Sequence, residues 1–189
     1  MKKISSIFFL LGVTLFAASS WGEQTKNQDF YEWLVDQHQI DPELNTNQII
    51  RSEEFKKFLK KNINNKTPLY LGMTLKNEEK DFTYHVQEVL GGPPDKVKFS
   101  EDGIILISGC RAQSCPEKGL IWINTKRKEQ VFVVLSYFYE SDVFQKNGIA
   151  VIYSDDFLEQ KQLPINFNLN LVSWLKGQEI ENYRVEYIN

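Results

Sequence analysis

The 189-residue chain has only two cysteines, two histidines and two methionines. That shortage excludes most soft-ligand metal chemistry. A zinc site drawn from Cys110, Cys115, His38 and His85 would lack the paired ligand spacing that such sites use. A redox pair would normally read C-x-x-C at a helix start, and the spacing here, C-x-x-x-x-C between β-like segments, fits that badly. No G-x-S-x-G, H-E-x-x-H or phosphate-binding glycine loop occurs. Paired acids such as Glu78 with Glu79, and Asp155 with Asp156, fall in polar turn-like stretches and read as solvated. Basic charge is also short, at 22 Lys and Arg against 25 Asp and Glu, a net charge of −3. Nucleic acid, which demands a concentrated basic face, is therefore not an expected partner. The chain reads as a non-enzyme with no cofactor and no metal.

No apolar run reaches the roughly 20 residues of a membrane span. The longest, Ile4 to Ala18, follows Lys2 and Lys3 and leads into small residues, the layout of a cleavable export signal over residues 1–22. Removing that segment takes away two lysines and no acid, so the charge moves from −3 to 20 − 25 = −5. The expected mature protein, residues 23–189, is a single domain, periplasmic or secreted, with no membrane anchor after cleavage. Its mild acidity favours encounter with a basic partner.

Aromatic residues are plentiful, with 13 Phe and 8 Tyr, so a core can form without disulfide support. Asp29 and Glu32 mark a helix start, with Phe30, Trp33 and Leu34 on one face. Ser52 caps a second helix whose stripe is Phe55, Phe58 and Leu59. Lys56, Lys57, Lys60 and Lys61 form its solvated side. From Thr67 the period shortens. Strands are expected over Pro68–Met73, Phe82–Val89, Lys96–Phe99, Gly103–Ser108, Gly119–Asn124, Val131–Tyr139 and Gly148–Tyr153. The turn Gly91–Asp95, "GGPPD", is the sharpest break. His85 reads as a surface or hydrogen-bonded strand residue. A closing helix over Asn168–Lys176, entered after Pro164 and left at Gly177, is preferred to a strand. The class is α+β: a mainly antiparallel sheet of about five to seven strands, flanked by N-terminal and C-terminal helices.

Both cysteines lie in "GCRAQSC", Gly109 to Cys115. In an exported chain an even cysteine count reads first as a disulfide, and two cysteines allow one intramolecular connectivity. So short a ring contributes only about 2 kcal/mol to global stability. Its better use is local: it fixes Arg111, Ala112, Gln113 and Ser114 and lets them project, already ordered for a partner. The plainer alternative is a ring that merely tightens a hairpin.

"SGCRAQSC" followed by "GLIWIN" resembles the Ivy family of bacterial periplasmic inhibitors of vertebrate lysozyme, whose signature is a disulfide-held CKPHDC loop between strands. The order of elements is similar too, with a signal, a helix like Ser52 to Ile63, an aromatic segment like Pro68 to Tyr70, strands, and then the loop. The resemblance implies a loop that plugs the lysozyme cleft. Cys110 and Cys115 match the disulfide, Arg111 the basic residue, Gln113 the histidine position, Ser114 the acid and Ala112 the proline. Gln113 keeps hydrogen-bonding capacity but not the positive charge of a protonated histidine, which leaves room for a different target. The expected partner is a lysozyme-type glycan hydrolase, and family precedent makes a homodimer possible. The alternative expectation is a non-inhibitory cell-envelope structural or interaction protein on the same scaffold.

Overall fold

The computed structural model of the chain describes residues 29–72, 80–139, 143–154 and 163–188. The expected signal segment, Met73 and the acid pairs at 78–79 and 155–156 lie outside the described residues. The helices are α1 (Phe30–Ile40), α2 (Thr46–Ile50), α3 (Glu53–Asn62), α4 (Phe82–Leu90) and α5 (Ile165–Gly177). The strands are β1 (Lys98–Phe99), β2 (Ile104–Arg111), β3 (Ser114–Asn124), β4 (Glu129–Ser136), β5 (Gly148–Tyr153) and β6 (Tyr183–Ile188). The class is α+β.

The six strands follow one another across a single sheet in chain order, β1 to β6. Every pairing is antiparallel except β5 with β6, whose connection passes through α5. Alternation along the strands divides the side chains between two apolar layers. Ile105, Ile107, Ile121, Ile123, Phe132, Val134, Ile149 and Val151 join Phe30, Leu34, Ile49, Phe55, Phe58, Phe82 and Val86 of α1–α4 on one face. Leu120, Trp122, Val131, Val133, Leu135 and Ile152 join Phe167, Leu171, Trp174 and Leu175 of α5 on the other. With helices on both faces, the central strands have no solvent side. That is why "LIWI" and "VFVVL" read as unbroken apolar runs although the sheet is mainly antiparallel.

Local chemistry sets the helix ends. Ser52 Oγ accepts from Phe55 N–H at 3.1 Å, the expected cap, and the α3 lysines lie in solvent opposite buried Phe55, Phe58 and Leu59. Asp29 occupies the N-cap position of α1 but makes no cap bond; its carboxylate instead receives Lys128 Nζ at 2.8 Å.

One expected strand is a helix. Residues 82–90 contain the aromatic and β-branched types that favour strands, yet Asp81 Oδ1 accepts from Tyr84 N–H at 2.9 Å and so caps α4. Phe82, Val86, Val89 and Leu90 then fall at helical spacing and are buried. Burial of that stripe overrides intrinsic propensity. The expected strand from Pro68 reduces to isolated bridges, Leu69 to Lys80 and Leu71 to Tyr139. The closing helix is confirmed and longer, and the parallel strand β6 was not anticipated.

Candidate functional site

The cysteine loop is the end of the β2–β3 hairpin. Its register runs evenly up to Cys110 opposite Lys118 and then shifts, so that Arg111 faces Ser114. The shift leaves Cys115, Pro116 and Glu117 as extra residues on the β3 side. The disulfide closes this bulge, joining Cys110 to Cys115 with S–S 2.06 Å and Cα–Cα 4.8 Å. Ala112 and Gln113 form the turn, with Gln113 in the left-handed region at φ 65°. Both are exposed, as are Cys115 and Pro116.

The base of the hairpin is tied down by the turn that follows α4. Gly92 N–H donates to Cys110 O at 2.9 Å, and a Cβ at Gly92 would lie 2.4 Å from that same oxygen. Ser108 Oγ donates to Asp95 Oδ2 at 2.6 Å, while Thr46 Oγ1 hydrogen-bonds Ser108 O. The "GGPPD" turn therefore acts as a brace under the loop.

Arg111 departs from expectation. Its side chain does not project but turns under the hairpin and is 7% exposed. Nη2 lies 3.3 Å from Glu88 Oε2 on α4, and Nη1 lies 3.5 Å from Glu117 Oε1 in the bulge. Ser114, opposite Arg111, is buried as well. The cause is strand parity combined with charge. Arg111 continues the Ile105, Ile107, Gly109 series on the face covered by α1–α4, where a guanidinium is tolerated only beside acids.

The cluster is closely fitted. Glu117 is fully buried, its Oε1 3.0 Å from Ser136 Oγ, and its Oε2 has no hydrogen-bond partner among the described residues. Gly72 lies against the guanidinium at φ 84°, donating its N–H to Phe138 O at 2.7 Å and Ser136 Oγ at 3.1 Å. A Cβ on Gly72 would come within 1.8 Å of Arg111 Nη1. His85, one turn before Glu88, is buried rather than on a surface strand, with Nε2 2.9 Å from Leu69 O. Desolvation first, and then the positive Arg111, pushes its pKa below the ordinary imidazole value. Neutral His85 thus donates its Nε2 proton to Leu69 O.

The hydroxyls that lie beside carboxylates here, Ser136 with Glu117 and Ser108 with Asp95, belong to buried serines. His38 stacks on Phe99 at 3.9 Å, away from His85, and both cysteines are consumed by the disulfide. Among the described residues no group of three His, Cys, Asp or Glu could hold a metal ion. Nor is any described helix long and apolar enough to cross a membrane. What the hairpin does present is a small uncharged tip on a covalently closed loop, resting on a buried ion-pair cluster. Of the residues expected to meet a partner, Ala112 and Gln113 stand at the surface, whereas Arg111 and Ser114 do not. Glu88, Glu117 and Gly72 were missed. For Glu88 a signal was present in the Asp81 cap and the Gly91 stop around a helical stripe, which put it on a helix.

Compared with known families, curated proteins and solved structures, the chain matches no family model, no curated protein and no solved structure.

Proposed function

We propose that the protein is an exported, non-enzymatic inhibitor or binder of a lysozyme-type glycan hydrolase, and that the disulfide-held tip Ala112–Gln113 is its contact point. The observation that carries this reading is the combination of exposure and order at the tip. Two uncharged residues are exposed on a ring closed by Cys110–Cys115 and braced at Gly92. A contact already held in shape avoids the ordering cost of binding. The Gln113 amide offers a donor and an acceptor, suited to a cleft lined by acids or glycan-binding polar groups. The chain's net charge of −3 favours approach to a basic enzyme. Arg111 has a different part here from the one its position suggested: its charge is neutralised by Glu88 and Glu117, and it supports the tip from below.

The inward Arg111 also favours a second reading. Because the loop's only cation is spent internally, the hairpin could be a structural feature of a cell-envelope interaction protein with an unrelated partner. The two separate in one experiment. Purified oxidised protein is titrated against several classes of lysozyme at low salt, beside a Gln113→Ala variant and a Cys110→Ser, Cys115→Ser variant. Inhibition that weakens in both variants, with their folding intact, supports the first reading. No slowing of any enzyme at high molar excess removes it.

A further inference from the structure

Where β4 ends and β5 and β6 begin, at the end of the sheet that carries the hairpin tip, the surface holds a hollow of about 550 Å³. That volume lies within the range of small-molecule sites, about 300–1,000 Å³. Its walls include Tyr139 and Asn147 from the loop before β5, and Glu181, Asn182, Tyr183 and Arg184 from the start of β6. Backbone bonds hold both asparagines in place. The Tyr139 hydroxyl donates to Asn147 O at 3.2 Å, and Gly148 N–H donates to Asn182 O at 2.8 Å. The loop itself is pinned where Gln145 N–H donates to Tyr137 O at 2.7 Å.

These bonds use main-chain groups of the asparagines and leave their side chains over. Asn147, Glu181 and Asn182 are exposed, and none of the three side chains has a hydrogen bond or ion pair among the described residues. Two amides and a carboxylate therefore meet solvent from a backbone already fixed, beside the rings of Tyr139 and Tyr183. We infer that this hollow is a binding site for a neutral, hydroxyl-rich saccharide, recognised by the Asn147 and Asn182 amides and the Glu181 carboxylate.

The lining selects that chemistry by what it offers and by what it lacks. It carries one positive and one negative side chain, Arg184 and Glu181, so it has no net charge to draw an anion or a cation. Arg184 is moreover stacked over the Tyr139 ring, with its guanidinium carbon 5.1 Å from the ring centre. No aliphatic side chain among the described residues lines the hollow, which disfavours a purely apolar ligand. A sugar hydroxyl both donates and accepts. A planar amide answers a neighbouring pair of hydroxyls with one donor and one acceptor, and a carboxylate takes a further hydroxyl proton. The tyrosine rings supply apolar area for the C–H face of a sugar ring. Because the backbone is fixed beforehand, the ordering cost of binding is small. The site shares no residue with the hairpin, so it does not depend on what the tip binds.

The test is an NMR titration of the oxidised, isotope-labelled protein with chito-, cello- and manno-oligosaccharides, and separately with inorganic phosphate. At least one saccharide should shift the side-chain amide signals of Asn147 and Asn182 saturably, and phosphate should not. Asn147→Ala and Asn182→Ala should each weaken binding roughly tenfold, the loss of one or two hydrogen bonds. Both positions are exposed, so the melting temperature should not move. Glu181→Gln keeps an acceptor without the charge and should retain binding, and Gln113→Ala on the hairpin should leave it unchanged. No shift with any of the three saccharides at millimolar concentration overturns the inference. So do amide shifts with phosphate, undiminished binding in both asparagine variants, or binding abolished by Glu181→Gln or by Gln113→Ala.

Discussion

Replacing Arg111 by methionine separates a supporting role from a contact role, because the two give opposite results in a folding experiment. A contact residue on the surface changes stability by less than about 0.5 kcal/mol when substituted. The structure gives a much larger figure. Glu88 is 40% exposed, so its share of the ion pair is screened and contributes less than about 1 kcal/mol. Glu117 is different, being fully buried with Oε2 unpartnered among the described residues. Deprived of the guanidinium, the buried carboxylate is left without a counter-ion, and removing one partner of a buried pair costs roughly 3–5 kcal/mol. Against a total stability of about 5–15 kcal/mol, such a loss is severe. Urea denaturation with the disulfide intact measures it as a fall in midpoint at unchanged slope. One further result must accompany it. Adding Glu117→Gln to Arg111→Met should recover part of the loss, since no charge is then stranded. A single variant as stable as wild type, or a double variant no better than the single, would refute the buried-cluster account.

Three other outcomes are expected. Gly72→Ala should destabilise by at least about 1–3 kcal/mol, from a left-handed backbone and a Cβ placed 1.8 Å from Arg111 Nη1; thermal melts measure it, and a neutral result would mean that the close approach is absent. Replacing both cysteines by serine should cost only about 2 kcal/mol and leave the near-UV aromatic signal intact, while amide exchange rises at Ala112 and Gln113. His85 is held neutral, its pKa lowered first by desolvation. The unfolded chain therefore binds a proton at higher pH than the folded one, and stability is full above the ordinary value of about 6.5. It falls by at most about 1.4 kcal/mol per unit as pH drops below that value, and levels off beneath the folded pKa; His85→Gln should flatten that part of the stability–pH curve.

What could be read from the chain followed periodicity, and what could not depended on partners distant in sequence. α3 was legible because cap, dipole charges and stripe agree within ten residues. The central strands were legible because runs such as "VFVVL" are too short and too apolar for anything but buried sheet. Phe82–Leu90 was misread because residue type outweighed spacing, although Asp81 and Gly91 bracket it as a helix. β6 was invisible for another reason. Its residues are mostly exposed, so no apolar alternation marks it, and its place is fixed by the backbone of β5.

The loop shows why a site can be located from sequence while its residues are assigned the wrong parts. A cation inside a short cysteine ring looks like a contact, since the ring seems to leave its members nowhere to go but outward. Strand parity says otherwise. Ile105, Ile107, Gly109 and Arg111 share one face of β2, and Glu117, Gly119, Ile121 and Ile123 share that same face of β3. Gly119 matters here, since a Cβ on it would lie 2.6 Å from Val89 Cγ2. Its lack of a side chain lets the end of α4 sit directly on the hairpin, where Glu88 is within reach of Arg111. Once that acid and Glu117 are beneath the strand, an outward guanidinium would leave a buried carboxylate unpaired, a worse state than the inward one. The disulfide then adds a covalent closure to the three-residue bulge that brings Glu117 under Arg111, beside the Gly92 brace and the Glu117–Ser136 hydrogen bond. The same ring that presents Ala112 and Gln113 therefore also positions the ion pair below them, and loosening either should loosen the other.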